Sequence, residues 1–451
     1  MLLVKLPPET NNAKLSFAHS TQACFYRCHL YLCPDMRNTP FWWILTGFML
    51  LLDLYFFQAL KVLTSGASGR TRTIIYSGYW LISITAIVIL LVLPYMHFDK
   101  QASMIRTTVF ALISGLFFAK IVASLFFLID DLRRVIQWVA GKLFFARTEG
   151  EDLQSGESIT RSVFLSWAGM IAGGGLFGTL VYGFGNKYRY QVKRFRLDYA
   201  NLPASFKGMK IVHISDIHVG SFNNKEAVIR GVQKILKEKP DLILFTGDLV
   251  NNLATEMENY MDVFSMLQAP MGVYATLGNH DYGDYHQWES PEKKKENLQQ
   301  LKGIYVALGW RLLVNEYIPL EKGNDKIALL GVENWSAKAR FPKYGDLQKA
   351  HTGTETFSFK ILMSHDPSHW KAEVLEHYPD IDLVLSGHTH GMQFGVELPG
   401  FKWSPVQYVY KEWAGLYENQ AQKLYVNRGF GFIGYPGRVG ILPEITVLEL
   451  G

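Results

Sequence analysis

The residues of this chain that could do chemistry are histidines and acids gathered in five short motifs. Each motif follows a short run of β-branched or apolar residues, so it lies where a predicted strand ends. Side chains that leave a sheet at one edge can meet at a point, which lets distant positions build one site. The motifs are Asp216-Ile217-His218, Gly247-Asp248, Gly278-Asn279-His280-Asp281, Ser364-His365-Asp366 and Gly387-His388-Thr389-His390.

These motifs supply oxygen and nitrogen ligands of the kind that metal ions bind, and no thiolate. The candidate ligands are Asp216, His218, Asp248, Asn279, His365, His388 and His390. One transition ion rarely binds seven protein ligands, whereas two ions that share Asp248 would have four each. Two metal ions about 3.5 to 4 Å apart are a common arrangement for in-line displacement at phosphorus. The pattern therefore predicts a dinuclear site for phosphoester hydrolysis.

In this order, D-x-H, GD, GNHD, a lone His and GHxH resemble the motif set of the calcineurin-like metallophosphoesterase family, over roughly residues 208 to 451. The resemblance implies two ligand sets, with Asp216, His218, Asp248 and His390 for the first metal and Asp248, Asn279, His365 and His388 for the second. It also implies that His280 contacts the phosphoryl oxygen or protonates the leaving group, with Asp281 orienting its ring. A hydroxide that bridges the metals would be the nucleophile.

The cofactors implied are two divalent metal ions. Mixed Asp, His and Asn ligands favour Mn, Fe, Zn or Co over Mg or Ca, which prefer shells of oxygen alone. Mn is the first ion to test. Arg438 is a candidate for binding a substrate phosphate, because a guanidinium group matches phosphate geometry, although a surface role fits the sequence equally well.

Within the family, the chain is similar to bacterial membrane-anchored members, including those that resemble UDP-2,3-diacylglucosamine pyrophosphatases and twin-arginine-exported phosphoesterases. Where such relatives often have Gly-Gly-Gln, this chain has Gly391-Met392-Gln393. Met392 would either favour an acyl chain or pack, and we expect packing. The segment from Gly429 to Gly434 matches the letters of a dinucleotide fingerprint, but Pro436 follows where a helix should begin. We therefore expect a loop near the active site.

The first part of the chain contains four predominantly apolar stretches, at residues 41 to 63, 74 to 96, 107 to 129 and 164 to 184. About 20 apolar residues span a hydrocarbon core as a helix, so four transmembrane helices are predicted. For the Gly-rich fourth stretch a buried soluble helix is the alternative. Residues 130 to 146 have apolar and basic residues at helical spacing, which predicts a helix lying among the headgroups.

Two ionisable residues lie near the middle of predicted spans, Asp53 in the first and Lys120 in the third. Charges at that depth are costly and usually face a partner. The two helices run in the same direction, so we predict that the groups pair, the alternative being a lipid-facing Lys120 that snorkels. Gly-x3-Gly spacings in the fourth span predict close helix packing, at Gly169 with Gly173 and at Gly174 with Gly178.

The chain has a net charge of +5, and its Lys and Arg residues cluster beside the predicted spans. There they would contact anionic headgroups. No nucleic-acid partner is expected; the expected partners are the lipid bilayer and a lipid-linked or small phosphoester substrate. The charge distribution favours a catalytic domain outside the cytoplasm. The resemblance to bacterial membrane-anchored members implies the inner membrane of a bacterium. All three cysteines lie within the first 35 residues, so the chain offers no disulfide evidence about its compartment.

The predicted organisation is a leader at 1–35 that need not belong to the native protein, a multi-span membrane region at 36–186, a linker with a leading strand at 187–207, and a metallophosphoesterase domain at 208–451. The fold class is α/β. Eight strand-like runs alternate with helices predicted at 224 to 238 and 257 to 268. The resemblance implies a layered sandwich of mixed β-sheets flanked by helices, preceded by the all-α membrane region of about four helices.

The predicted function is a membrane-anchored, metal-dependent phosphoesterase that cleaves a phosphodiester or pyrophosphate bond. A multi-span anchor raises the effective concentration of a lipid-borne substrate, which favours a lipid-linked one. The alternatives are an esterase for a soluble nucleotide or phosphomonoester, and a membrane sensor or binding protein without turnover. Complete ligand motifs argue against the last, because degenerate relatives usually lose the GNHD or GHxH residues.

Overall fold

The computed structural model describes residues 40–93, 100–144 and 162–451; the predicted leader at 1–35 lies outside them. Four long helices come first. They are α1 (Pro40–Leu63), α2 (Gly69–Val92), α3 (Lys100–Phe144) and α4 (Val163–Gly183). All four are long and apolar enough to cross a membrane. The prediction of four apolar spans is thus confirmed by length and composition.

Helix α3 has 45 residues and continues past the third predicted span. Residues 130 to 144 are helical, as expected, but they continue α3 and do not begin a new helix, because the Asp130-Asp131 segment contains no Pro or Gly that would break the helix. The Asp130 carboxylate accepts a hydrogen bond from the Ser162 backbone N at 2.7 Å. Ser162 is the N-cap of α4, so this contact joins α3 to the start of the last span.

Helix α4 packs against α3 through its glycines. A Cβ atom at Gly169 or Gly173 would overlap the backbone carbonyl of Ala123 or Ala119, respectively, so close approach requires glycine at both positions. Gly174 and Gly178 have no atom within 4 Å of such a Cβ. The predicted packing is therefore confirmed for the first pair of glycines and wrong for the second.

The predicted pair inside the helical region is confirmed. The Lys120 ammonium contacts the Asp53 carboxylate, and both groups are buried. The same carboxylate oxygen accepts hydrogen bonds from the Tyr79 hydroxyl at 2.7 Å and from the Ser83 hydroxyl at 2.9 Å. The network joins α1, α2 and α3, because each helix contributes at least one of its members.

Two six-stranded sheets form the framework of the rest of the described chain. The first has the spatial order β1 (Gln191–Leu197), β14 (Glu444–Leu450), β2 (Lys210–Ile214), β3 (Leu242–Phe245), β4 (Val273–Ala275) and β5 (Arg311–Leu312). The second has the order β12 (Gly415–Asn419), β13 (Gln422–Val426), β9 (Leu383–Ser386), β8 (Lys360–Met363), β7 (Asp325–Gly331) and β6 (Glu316–Lys322). Both contain parallel and antiparallel pairs, as expected of mixed sheets.

Helices cover the outer face of each sheet. On the first sheet lie α5 (Lys225–Lys237), α6 (Met261–Phe264) and α7 (Pro291–Ala307); on the second lie α8 (Leu347–His351) and α9 (Leu375–His377). A buried apolar layer, which includes Ile211, Leu244 and Ile361, separates the sheets. The expected layered sandwich of mixed sheets flanked by helices is confirmed.

Two helical segments differ from the predictions. The helix expected at 257 to 268 is a 3₁₀ turn, Ala254–Asn259, followed by the single turn of α6. Helix α7 was not predicted, because its sequence is mostly polar and few of its side chains are buried. Its start carries an N-terminal signal that a sequence search could use, since Ser290 caps the helix and Pro291 occupies its first turn.

Candidate metal centre

The site lies where parallel strands of both sheets end. Strands β2, β3 and β4 run parallel in the first sheet, and β8 and β9 run parallel in the second. Each of the five motifs begins within a few residues of the end of one of these strands. Because the carboxyl ends of parallel strands share one edge, the motifs of the two sheets meet.

The first group of converging side chains is Asp216, His218 and His390, whose donor atoms lie within 4.8 Å of one another. His390 Nε2 lies 3.1 Å from His218 Nε2 and 3.2 Å from Asp216 Oδ1. Atoms bound to one ion at about 2.1 Å lie roughly 3.0 to 3.4 Å apart. The spacing of this group therefore fits a single metal ion.

The second group is Asp248, His365 and His388, again within 4.8 Å. His365 Nε2 lies 3.1 Å from Asp248 Oδ2 and 3.3 Å from His388 Nδ1. The Asn279 Oδ1 atom lies 2.8 Å from the same Nδ1, so the predicted amide ligand joins this group. The arrangement offers mixed oxygen and nitrogen ligands, which suit a divalent transition ion.

Asp248 lies between the two groups. Its Oδ2 atom is 3.1 Å from His365 Nε2 in the second group and 3.5 Å from His218 Nε2 in the first. Its Oδ1 atom accepts a hydrogen bond from the His280 backbone N at 2.8 Å. This position is the one that a carboxylate shared by two ions must occupy.

Burial and the neighbouring carboxylates act in opposite directions on the histidines of the site. Burial lowers the pKa of His218 well below its usual value, which leaves a neutral ring able to bind a metal. Burial also lowers the pKa of His365, but the carboxylates of Asp248 and Asp216 outweigh it and raise that pKa to about 10. The carboxylates thus hold a proton at His365 where a divalent cation could take its place.

The backbone turns sharply at these residues. Five of the seven predicted ligands have positive φ angles between 48° and 69°, in the left-handed region that non-glycine residues seldom adopt; they are Asp216, His218, Asp248, His388 and His390. Such conformations cost free energy and cluster at functional sites. They let residues two apart, such as His388 and His390, project into different groups of one site.

Glycines of the motifs make room for the carboxylates. A Cβ atom at Gly278 would overlap the Asp248 carboxylate, and one at Gly387 would overlap Asp216. These positions require glycine because the backbone passes directly against a predicted ligand.

Two histidine rings are held by hydrogen bonds at the nitrogen that faces away from the cluster. His365 Nδ1 donates to the Thr246 carbonyl oxygen at 2.7 Å. His388 Nε2 lies 3.0 Å from the Tyr410 hydroxyl, which donates to Asp366 Oδ2 at 3.0 Å. Outer hydrogen bonds of this kind fix the tautomer and orientation of metal-binding histidines. Tyr410 was missed by the sequence analysis, because no short motif surrounds it.

His280 lies beside both groups, and its ring is held differently from the prediction. Its Nδ1 atom donates to the Asn251 carbonyl oxygen at 2.8 Å, and its ring lies 4.6 Å from that of Tyr285. Asp281, expected to orient the ring, instead accepts hydrogen bonds at 2.8 Å from the backbone N atoms of Gly278 and Asp248. A buried carboxylate satisfies the nearest backbone donors, so Asp281 fastens two motif loops together.

Arg438 does not fit the prediction that it binds a substrate phosphate. Its side chain is fully buried, and its guanidinium group donates to backbone carbonyls, among them that of Arg428 at 2.8 Å. Its Nη2 atom also lies 3.2 Å from His390 Nδ1. A fully buried guanidinium whose Nη atoms already bond to these groups is not free for a substrate, so Arg438 supports the loop that carries His390.

The other two expectations near the site have opposite outcomes. The loop that begins at Gly429 is confirmed beside the site, because a Cβ atom there would crowd His390 and Asp216. The expectation that Met392 packs is wrong, since 58% of this residue is exposed. Its left-handed backbone, with φ of 54°, turns the side chain away from the interior.

Comparisons with known proteins match both parts of the chain. The family model described as "Calcineurin-like phosphoesterase" matches residues 209–392. The model described as "Probable Calcineurin-like phosphoesterase, transmembrane domain" matches residues 36–186. The two matches together include the four apolar helices and all five motifs.

Three relatives illustrate the similarity. The "Transmembrane protein with metallophosphoesterase domain" of Danio rerio is 30% identical over 258 residues, 55% of this chain and 54% of that protein. The uncharacterized metallophosphoesterase YkuE of Bacillus subtilis is 31% identical over 290 residues, 63% of this chain and 92% of that protein. The UDP-2,3-diacylglucosamine pyrophosphatase LpxG of Chlamydia muridarum is 28% identical over 292 residues, 53% of this chain and 84% of that protein. The chain therefore spans about half the length of the Danio rerio relative.

Proposed function

This chain belongs to the calcineurin-like phosphoesterase family, and we propose that it is a membrane-anchored hydrolase that cleaves a phosphodiester or pyrophosphate bond in a lipid-linked substrate. The observation that carries the proposal is the pair of converging ligand groups with Asp248 lying between them. The first metal would be held by Asp216, His218, Asp248 and His390, and the second by Asp248, Asn279, His365 and His388. When bound, divalent ions in such a site act as Lewis acids and lower the pKa of water.

In this proposal His280 protonates the leaving group. Its Nδ1–H is donated to Asn251, so Nε2 is the nitrogen left for the substrate. Burial lowers the pKa of His280, and the ring is therefore neutral before an anionic phosphoryl group arrives. The phosphoryl charge then raises that pKa and favours a proton on Nε2, which can pass to the departing oxygen.

A lipid-linked substrate is supported by the contact between the last span and the site. The Arg438 backbone N donates to the Gly183 carbonyl oxygen at 2.9 Å, at the end of α4. The Arg438 side chain in turn lies against His390, a predicted metal ligand. A phosphate carried by a lipid of the same membrane would meet this site at high effective concentration. The printed name of LpxG, a UDP-2,3-diacylglucosamine pyrophosphatase, supports the same class of substrate.

We further propose that the chain lies in the inner membrane of a bacterium, with the catalytic domain outside the cytoplasm. The bacterial relatives support the first part, and the placement of Lys and Arg around the spans supports the second. Protease added to intact spheroplasts should cleave the domain from the spans. Protection of the domain until the membrane is permeabilised would contradict this orientation.

The function is tested with the full chain in lipid nanodiscs and added Mn²⁺. We expect hydrolysis of bis(p-nitrophenyl) phosphate and of a diacylglycerol-linked pyrophosphate, with p-nitrophenyl phosphate a poorer substrate. His280→Ala should lower kcat about a hundredfold to ten-thousandfold while leaving bound metal unchanged. The exposed His377→Ala is the control. If the wild-type chain turned over no ester with Mn, Fe, Zn or Co, the chain would be a binding protein or sensor.

A further inference from the structure

A small two-stranded ribbon next to the site has an unusual distribution of side chains. It consists of β10 (Val396–Leu398) and β11 (Phe401–Trp403), paired antiparallel. Cross-strand partners share a face, and so do residues two apart on a strand. One face of the ribbon, here called the outer face, therefore carries Val396, Leu398, Phe401 and Trp403.

The outer face is apolar, and three of its four side chains are exposed while Trp403 is half-buried. Leu398 is 60% exposed and Phe401 is 57% exposed, and Val396 is exposed as well. The opposite face carries Glu397, which is half-buried, and Lys402, which is exposed, and the charged end of each contacts the domain. A ribbon that lies on a protein in water normally turns its apolar face inward and its polar face outward. In this ribbon the apolar face points outward instead.

The polar face is secured by charged contacts. The Glu397 carboxylate lies 2.6 Å from Lys193 Nζ and 2.7 Å from Arg428 Nη2. The Lys402 ammonium donates to the Ala414 carbonyl oxygen at 2.6 Å. These contacts fix which face points outward, so the ribbon cannot bury its apolar side chains by turning over.

The exposed apolar residues are concentrated around the ribbon. After residue 187, nine large apolar side chains of the described residues are exposed, and six of them lie between residues 392 and 409. The six are Met392, Val396, Leu398, Phe401, Tyr408 and Val409. Single exposed apolar residues are ordinary on a protein surface, whereas a contiguous group marks a contact with a partner or a membrane.

The ribbon is continuous with the segment that contacts the last span. Residue 395 precedes β10, and its backbone N donates to the Val439 carbonyl oxygen at 2.9 Å. A Cβ atom at Gly183, the last residue of α4, would overlap the Val439 side chain. The segment that contains Val439 therefore contacts both the residue before the ribbon and the end of a membrane-spanning helix.

We propose that the outer face of the ribbon inserts into the surface of the bilayer that holds the four helices. Trp403 and Tyr408 suit this position, because amphipathic rings concentrate at the level of the headgroups, and the Trp403 indole N–H donates to the Tyr408 hydroxyl at 3.4 Å. The inference rests on the membrane location of the chain and goes beyond the proposed substrate.

The insertion would bring the site to the headgroup layer. The segment that contains the ribbon begins after His390 and ends at Tyr410, whose hydroxyl lies 3.0 Å from His388 Nε2. A predicted ligand, His390, and the hydrogen-bond partner of another, Tyr410, thus bracket the segment. A phosphoryl group at the membrane surface would meet the centre without leaving the bilayer.

The test uses a fluorophore on the outer face. Cys24, Cys28 and Cys33 are replaced by serine in the full chain, Leu398→Cys is labelled with a nitrobenzoxadiazole dye, and nanodiscs hold one chain each in phosphatidylcholine and phosphatidylglycerol. We expect nitroxide-labelled phosphatidylcholine to quench the dye at 398 strongly. The same dye at Val306→Cys, a residue of α7 that is 77% exposed, should show little quenching. Phe401→Cys repeats the measurement if Leu398→Cys does not fold.

Two outcomes would overturn the proposal. If lipid quenching at 398 and 401 equals that at 306 while iodide quenches all three, the outer face is free in water. If 398 and 401 are shielded from iodide without lipid quenching, another part of the chain covers the face. The measurement is repeated in nanodiscs that hold several chains. If 398 and 401 are shielded only in those nanodiscs, a second copy of the chain covers the outer face.

Activity gives a second readout. Combined Leu398→Asp and Phe401→Asp should lower kcat/KM about tenfold for a vesicle-borne phosphodiester, because the inserted face is lost, and leave hydrolysis of soluble bis(p-nitrophenyl) phosphate unchanged. Equal losses on both substrates would count against insertion. If the wild-type chain hydrolysed neither ester, the proposed function would fail, while lipid quenching would still decide the position of the ribbon.

Discussion

At the scale of residues, each predicted ligand depends on partners that come from other segments. The His388 ring is an example, because its Nδ1 atom faces Asn279 and His365 while its Nε2 atom faces Tyr410. The second nitrogen of a metal-binding histidine is usually hydrogen bonded, which fixes the tautomer and orientation of the ring. Tyr410 therefore fixes the orientation of the His388 ring toward the second group.

Tyr410→Phe tests this role. Removing the hydroxyl leaves His388 Nε2–H and the buried Asp366 carboxylate without their shared partner. We expect the affinity for Mn²⁺ to fall about tenfold to a hundredfold, as measured by competition with a chelator. Tyr408→Phe, two residues earlier and exposed, is the matched control. Equal affinities in the two variants would show that Tyr410 does not support the ligand.

Glu444 shows how a buried ion pair responds to pH. Burial would raise the pKa of its carboxyl, but the Arg428 guanidinium and the Tyr425 and Thr446 hydroxyls outweigh burial and lower it. A carboxyl with a lowered pKa in the folded state stabilises the fold above its unfolded pKa of about 4.3. That stabilisation is lost as the pH falls through the folded value.

We therefore expect Glu444→Gln to lower stability by about 3 kcal/mol at pH 7, because Arg428 loses its buried partner. The difference from wild type should shrink below about pH 4.3. Thermal unfolding in detergent at pH 7 and pH 4 measures it, with the exposed Glu418→Gln as control. A difference that stays constant with pH would mean that the charge of Glu444 is not responsible.

The residue scale is also where sequence analysis succeeds and fails most clearly. The seven candidate ligands could be found because each follows a strand, and the family models and relatives confirm the family that their order indicated. The partners of Asp281 and Arg438 could not be found. A buried carboxylate or guanidinium bonds to whichever backbone groups the fold brings near, and these come from loops far apart in sequence.

At the scale of elements, the contact between α3 and α4 depends on which glycines face the neighbour. The Gly-x3-Gly spacing occurs twice in α4, yet only one pair packs. Spacing alone cannot select the pair, because both repeats place small residues on one side of a helix and the neighbour determines which side is used.

Substitution by leucine separates the two pairs. Gly173→Leu must displace the Ala119 carbonyl and the Ala123 side chain, so we expect a loss of about 1 to 3 kcal/mol or more. Gly174→Leu meets no atom within 4 Å of its Cβ and should be tolerated. Thermal unfolding in detergent compares the neighbouring variants. Equal losses at 173 and 174 would contradict the packing.

The Asp53–Lys120 pair joins α1 to α3 inside the helical region. Asp53→Ala leaves a buried ammonium without its partner and should cost about 3 to 5 kcal/mol, as should Lys120→Ala. The double variant should be milder than the sum, since no unpaired charge remains. Thermal unfolding of the three variants in detergent measures the coupling. Strictly additive losses would contradict a pair that acts as a unit.

At the scale of the whole molecule, a series of contacts connects the last span to the candidate metal centre. The last span ends against the loop that holds Arg438, Arg438 lies against His390, and the ribbon follows directly after His390. The apolar lengths of the spans could be predicted from the sequence. The reversed ribbon could not, because its register and the outward direction of its apolar face depend on contacts of Glu397 and Lys402 with distant segments.

The central claim is a centre of two metal ions that share Asp248, and metal content tests it most directly. Full-length protein in nanodiscs, loaded with Mn²⁺ and freed of excess ion, is analysed by inductively coupled plasma mass spectrometry. We predict two ions per chain in the wild type and in the exposed control Asp262→Asn, and a loss of both ions and of phosphodiester hydrolysis in Asp248→Asn. Two ions and full hydrolysis retained in Asp248→Asn would contradict the claim.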